Sequence, residues 1–372
     1  MQKKFNKFLN QLSKKYADQN LELNSIQKHI TKVLKSNVLC FQFSHQTRYI
    51  DDNLNIPTRW NKSLFRNSFA TNKAKKVELP LIKSKETYFA DVKNFVLCLS
   101  DNPRVSIELT YGKINFSKIK TLNFQNKIND SIVLLNLASY NPWHYFIEIL
   151  SLANDLIDKN IFPEKKIYIP YNPLFIELIK IIDKNDRIRT YKSNKIHFAK
   201  NCLFLEGLVG EMLLSSSINR LIRKLYHKLE IKNHAYNYKH IYIGRNDKNK
   251  RRNRRRIVNE KKGLELIKKK YPKIKIIRPG YISIVESIKY MYNCKEVISP
   301  LGTQLVLNSL FSKNLKKITE MVPELYQGFT TGELVANYKN SKYKKLKTQN
   351  TKIGWPLYIN QKIDLDNLKR NL

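Results

Sequence analysis

The stretch from His240 to Val322 decides the reading: KHIYIGR (239–245), RRIVNEKKGLELI (255–267), IKIIRPG (274–280), SIVESIKYMYNC (283–294), EVISPLGTQLVLNSLF (296–311) and KKITEMV (316–322). Short β-branched runs alternate with segments whose apolar residues recur at helical spacing, the pattern of a parallel sheet with crossover helices. Basic and small polar residues sit where the strands end. That is where α/β proteins hold ligands, phosphorylated ones above all.

Upstream, the polar stretch KNHAYNYK (232–239) separates this unit from a second one. There, HYFIEILSLANDLI (144–157), KIYIP (166–170), PLFIELIKII (173–182), KIHFAK (195–200), CLFLEG (202–207) and SSINRLIRKLYHKLEI (216–231) read as helix, strand, helix, strand, strand and helix. Before them VLCFQF (38–43), NFVLCLS (94–100), RVSIELT (104–110) and SIVLLNL (131–137) read as strands. The expected organisation is a basic leader at 1–36, an N-terminal α/β domain at 37–232, a Rossmann-like domain at 233–325 and a lysine-rich tail at 326–372 packed back on the domains. Two such units imply an α/β chain with two Rossmann-like domains facing a central cleft.

The chain has 372 residues, enough for two such domains. Its 69 Lys and Arg against 30 Asp and Glu give a net charge of +39, a field that gathers phosphates, nucleic acid or anionic membrane. Lys, Asn and Ile are abundant together, a bias that A+T-rich coding produces without selection for binding. The charge is spread along the chain, with no aromatic RNA-reading motif, Cys/His finger or basic heptad region, so nucleic acid is not the expected partner. Four cysteines (40, 98, 202 and 294) lie far apart, which fits a reducing compartment, and no apolar run reaches a membrane span. A cytoplasmic protein is expected. In the leader, Phe5, Phe8, Leu9, Leu12 and Tyr16 fall at helical spacing among lysines. Such a helix either lies on an anionic membrane surface or packs on the domain behind it.

Three constellations carry chemistry. In SYNPWHYFIEIL (139–150), Asn141 and Pro142 form a helix start, and His144 and Glu148 share a face at i,i+4, a general-base arrangement for deprotonating a hydroxyl. In IYIGR, Arg245 ends a strand after Gly244, and Arg251, Arg252, Arg254, Arg255 and Arg256 follow in a short loop; guanidinium groups of this kind clamp diphosphates. Asn259 and Glu260 then open a helix as cap and acidic first turn. In EVISPLGTQ, Gly302 allows close backbone approach, Thr303 and Gln304 start an apolar helix whose free N–H groups form an anion site, and Asn308 is one turn in. Ser283 and Glu286 have capping-box spacing, so Glu286 reads as structural. Glu320 is placed at a cleft-facing strand end, where it can bond a ribose hydroxyl.

Taken in this order, the constellations resemble glycosyltransferase family 61, which includes plant xylan arabinosyl- and xylosyltransferases and animal O-linked N-acetylglucosaminyltransferases. The family's Asn, His-Trp and acidic residue look like Asn141, His144, Tyr145 and Glu148, with Tyr for Trp and Glu for Asp. Its strand ending in Arg, Arg-rich loop and Asn-Glu helix start match Ile243, Arg245, Arg256, Asn259 and Glu260, and Glu286 and Glu320 have counterparts. The resemblance covers Asn141 to Pro323. One departure is plain: the family's His-Gly-Ala-Gly turn is Leu301, Gly302, Thr303 and Gln304 here. The resemblance implies a GT-B-like fold, a nucleotide-diphosphate sugar donor (a UDP-sugar is expected), and inverting transfer to a hydroxyl of a glycan or lipid-linked glycan. Glu148, or His144 supported by it, would be the base. Arg245, Arg254 to Arg256 and the Gly302–Gln304 turn would hold the diphosphate. With no DxD motif between residues 233 and 325, neither a metal nor a further cofactor is expected.

Overall fold

The computed structural model describes residues 48–49, 76–77, 81–92, 95–100, 107–110, 122–135, 139–206, 216–245, 257–323, 331–354 and 358–371. The leader 1–36, the strand expected at 38–43 and the arginines Arg251, Arg252, Arg254, Arg255 and Arg256 lie outside the described residues. The chain divides into two compact units, the first reaching Leu221 and the second running from Ile222.

In the first unit β1 (Leu81–Val92), β2 (Phe95–Ser100), β3 (Ile107–Thr110), β4 (Phe124–Asn129), β5 (Ile132–Leu135), β6 (Ile167–Pro170), β7 (Ile188–Tyr191) and β8 (Ile196–Glu206) form one sheet. Its order is β3-β2-β1-β8-β5-β6-β7, with β4 also on β8. From β8 to β7 the strands run parallel, while β8, β1, β2 and β3 are joined antiparallel, so the sheet is mixed. KIHFAK and CLFLEG, expected as two strands, are one strand, β8, interrupted at Asn201. That residue takes φ 53° opposite Asp130 at φ 44°, and Asp130 N–H donates to the Lys200 carbonyl across the kink. Asn and Asp tolerate this left-handed backbone better than most residues, so the paired strands bend together and keep their ladder.

Helix α1 (142–158) connects β5 to β6, and α2 (Ile176–Ile182) connects β6 to β7. Helix α1 opens as Pro142–His144, widens into a π-helical turn at Tyr145–Leu150 and continues through Ser151–Asp158. Nearly all of it is buried. Asp155, fully buried, receives Arg220 Nε at 3.0 Å and Nη2 at 2.6 Å and Ser217 Oγ at 2.6 Å, which fastens α1 to α3 (Ser216–Lys228). The fork of one guanidinium on one carboxylate fixes orientation as well as distance.

The second unit is the doubly wound part. Its strands are β9 (His240–Ile243), β10 (Lys275–Ile277), β11 (Glu296–Pro300), β12 (Lys317–Pro323), β13 (Lys342–Gly354) and β14 (Tyr358–Lys362), in the order β10-β9-β11-β12-β13-β14. All pairs but β13–β14 are parallel. The connecting helices are α4 (Glu260–Lys270), α5 (Ile284–Met291), α6 (Thr303–Leu310), α7 (Thr331–Tyr338) and α8 (Leu365–Asn371). On one face Tyr242, Ile298, Met321 and Leu346 pack with Ile257 and Ile267 beside α4 and with Ile363 and Leu368 beside α8. Alternate residues such as Ile243, Ser299 and Glu320 point to the other face, as the period of a strand requires. Residues 331–371, read as a tail, supply two helices and two strands of this sheet.

The C-terminal part is tied to α4 by two residues one helical turn apart. Asn259 Nδ2 donates to the Ile363 carbonyl at 2.8 Å and its Oδ1 accepts from Ile363 N–H at 2.8 Å, the exchange a strand neighbour would make. Four residues on, a Cβ at Gly263 would come within 2.5 Å of Ile363 Cδ1. Asn259 stands at the N-cap position of α4, as expected, but its side chain does not cap the helix. Both amide atoms are already committed to Ile363.

Candidate active site

The head of α1 is built locally. Asn141, in extended conformation, accepts from Trp143 N–H at 3.0 Å, and Pro142 fills the first position, where no N–H is needed. His144 follows in the first turn. Its Nδ1 lies 2.9 Å from Glu148 Oε1, with 7% of the histidine side chain exposed and none of the glutamate's. A carboxylate accepts, so Nδ1 carries the hydrogen of this contact. The pair is joined in a π-turn, a distortion common where a helix carries function. Tyr145 stacks on Phe175 at 4.9 Å and donates to the Pro170 carbonyl at 2.7 Å, which ties the turn to the end of β6.

In the second unit the strand order reverses between β9 and β11, where the next connection leaves to the other side. Open α/β sheets bind ligands in the crevice beyond the strand ends at such a reversal. The β9–β11 ladder stops at Tyr242 and Ile298, and one residue later Ser299 Oγ donates to the Ile243 carbonyl at 2.9 Å. Beyond it Arg245 crosses the gap and donates through Nη2 to the Leu301 carbonyl. Gly302 lies beneath that guanidinium at φ 157°, and a Cβ there would stand 2.6 Å from Nη2. The backbone conformation favours glycine, and any side chain there would have to push the guanidinium aside. Thr303 and Gln304 then open α6, so the first-turn N–H groups of this helix, with the positive end of its dipole, lie beside Arg245. Arg245, Gly302, Thr303 and Gln304 are thus brought together at one strand-end crevice.

Other expected residues are placed differently. Glu320 is not at a strand end: it is the fourth residue of the seven-residue β12, fully buried. Its Oε2 accepts from Tyr343 OH at 2.9 Å and its carboxyl from Gly332 N–H in the first turn of α7, while Oε1 has no partner among the described residues. Burial pushes this carboxyl up to about 7, against the pull of Tyr343, Gly332 and Lys345. Asn308 is buried and keeps Nδ2 on the Gln304 carbonyl at 2.7 Å, along its own helix. Ser283 Oγ caps α5 by accepting from Glu286 N–H at 3.1 Å, and Glu286 turns its carboxylate to Tyr236 and Lys289, both at 3.0 Å. Among the described residues no helix is long and apolar enough to cross a membrane.

Sequence reasoning passed over Arg278, just after β10. Its Nη1 donates to the Arg245 carbonyl at 2.9 Å and its Nη2 to Glu260 Oε2 at 2.8 Å, while Glu260 Oε1 accepts from Tyr242 OH at 2.8 Å. The visible signal was an arginine at a strand end directly before Pro279 and Gly280, the placement already used for Arg245.

The structure thus holds an imidazole–carboxylate pair at the head of α1 and, at a strand-end crevice, an arginine beside the first turn of α6. Comparison with protein-family models makes the class definite: the chain is a glycosyltransferase. Residues 142–322 match the model for Glycosyltransferase 61, so the chain carries a domain of that family. The matched stretch runs from the first residue of α1 into β12 and includes His144, Glu148, Arg245 and Gly302. No curated protein matches the chain.

Proposed function

We propose that the chain is an inverting glycosyltransferase that moves a sugar from a nucleoside-diphosphate donor, a UDP-sugar in the first instance, to a hydroxyl of a glycan or lipid-linked glycan. Its two α/β units are read as the Rossmann-like halves of a GT-B-like enzyme. The observation that carries the mechanism is the 2.9 Å contact between His144 Nδ1 and Glu148 Oε1 within the family-matched stretch. Glu148 fixes the tautomer and steadies the charge that develops on the ring, and His144 Nε2 takes the proton of the acceptor hydroxyl. The hydroxyl oxygen forms a bond to the anomeric carbon from the face opposite the leaving group. The bond from that carbon to the diphosphate oxygen breaks, and the electron pair leaves with the diphosphate. One displacement inverts the configuration. Arg245 and the first-turn N–H groups of α6 meet the charge that appears on the diphosphate. The loop arginines 254 to 256 are read as adding to this field, and the basic leader as holding the enzyme at the cytoplasmic face of an anionic membrane.

The test is a thermal-shift screen of UDP- and GDP-sugars, followed by transfer assays with glycan acceptors. Stabilisation by one nucleotide sugar, with turnover that is lost in Glu148→Gln, is the expected result. Binding without transfer to any acceptor marks an inactive sugar-nucleotide-binding relative and overturns the catalytic reading. Strongly salt-dependent binding to DNA or RNA, with no response to any nucleotide sugar, overturns the donor site as well.

A further inference from the structure

Arg278 joins the ends of β9 and β10 to the head of α4. The end of β10 lies beside the turn after β9, where Gly244 N–H donates to the Ile277 carbonyl at 2.8 Å. From there the Arg278 side chain lies over Gly244, so that a Cβ at 244 would stand 2.8 Å from Nη1 and 3.1 Å from Cζ. The guanidinium fills the place of the missing side chain. It then spans two acceptors with its two terminal nitrogens, the Arg245 carbonyl and Glu260 Oε2. A planar fork reaches both at once; the single ammonium of a lysine cannot. With 27% and 18% of their side chains exposed, Arg278 and Glu260 are sheltered enough for the pair to hold its geometry. Tyr242 steadies the carboxylate from inside the sheet, its hydroxyl held protonated by burial and by Glu260.

The charges of Arg278 and Glu260 offset each other, so the pair adds little to the field at the strand ends. What it fixes is a direction. Arg278 holds the carbonyl of the residue whose own guanidinium reaches across to Leu301 over Gly302. We propose that Arg278, paired with Glu260, is a positioning residue of the donor site: it locks the Gly244–Arg245 turn and so aims the Arg245 guanidinium at the donor diphosphate. This inference rests on the reading of Arg245 as a diphosphate contact.

The experiment measures UDP and GDP affinity by calorimetry for the full-length chain and for Arg245→Gln, Arg278→Lys and their combination. Arg278→Lys keeps the charge and loses the fork, and it weakens binding about tenfold, the loss of roughly one well-made hydrogen bond. In the Arg245→Gln background the same change adds nothing, because Arg278 acts through Arg245. Gly244→Ala displaces the same guanidinium from the other side and reproduces the loss with Arg278 intact, which covers the case of an Arg278 variant that does not fold. Unchanged affinity in a destabilised but folded Arg278→Lys overturns the inference in favour of a merely structural pair. Losses that add to those of Arg245→Gln overturn it in favour of direct contact with the ligand. A wild-type chain that binds neither nucleotide, or an Arg245→Gln variant that binds as well as wild type, shows that the donor-site reading itself has failed.

Discussion

The helix head at Asn141–Glu148 and the crevice at Arg245–Gly302 reach functional geometry by opposite routes. His144 and Glu148 are four residues apart on one helix, and the helical repeat alone brings them face to face. Arg245 and Leu301 are 56 residues apart, and only the order and register of β9, β10 and β11 bring them together. The first arrangement is carried by side chains and the second largely by backbone: carbonyls, first-turn N–H groups and a glycine that leaves room. A local pair is therefore sensitive to its chemistry, whereas a topological site is sensitive to anything that moves a strand end.

That contrast breaks most readily at Glu148. Replacing it with Gln keeps size and hydrogen bonding but removes the charge. Transfer is expected to fall about 10²–10⁴-fold while UDP affinity holds; equal losses in single-turnover rate and nucleotide affinity would mean that the two places do not work separately. Next comes acidity in the second unit. The Glu320 carboxyl is raised from 4.5 to about 7 in the folded chain. The folded state thus binds a proton more tightly than the unfolded one, so this contribution is complete below pH 4.5 and is lost as pH rises through 7. Denaturant titrations should show about 3 kcal/mol of decline across that window from this group, and Glu320→Gln should flatten it. Gly302→Ala should cost about 1–3 kcal/mol through its backbone conformation and should weaken nucleotide binding by displacing Arg245. An unchanged affinity there would detach Arg245 from the ligand. The smallest effect is expected from Asn141→Ala, about 1 kcal/mol of stability from the lost cap, read from the melting temperature, with nucleotide affinity untouched.

The same distinction explains what could be read from the chain. Strands and helices of the second unit were legible because each announces itself within a dozen residues, and the His144–Glu148 pair because its spacing is helical. Glu320 was misplaced, and the Asn259 side chain was given the wrong job, because their partners are remote: Tyr343 is 23 residues on and Ile363 is 104. A local rule assigned each a plausible local job, and tertiary contacts gave it another. Arg278 escaped notice for the same reason, with Glu260 18 and Arg245 33 residues behind it. β8 was divided in two because Asn201 breaks the alternation of side chains without ending the strand. The expected roles of Arg254, Arg255 and Arg256 fall on residues the structure does not describe.

The exchange between Asn259 and Ile363 has a consequence for biosynthesis. The residues it joins are 104 positions apart, and at roughly 5–20 residues per second the ribosome needs about 5 to 20 seconds to travel from one to the other. During that interval α4 has emerged but lacks Ile363 and Leu368, which complete its apolar side. The second unit therefore cannot close around its core from the N-terminal end forward. Its nascent chain must wait, with the flank of α4 open to chaperones, until α8 leaves the exit tunnel.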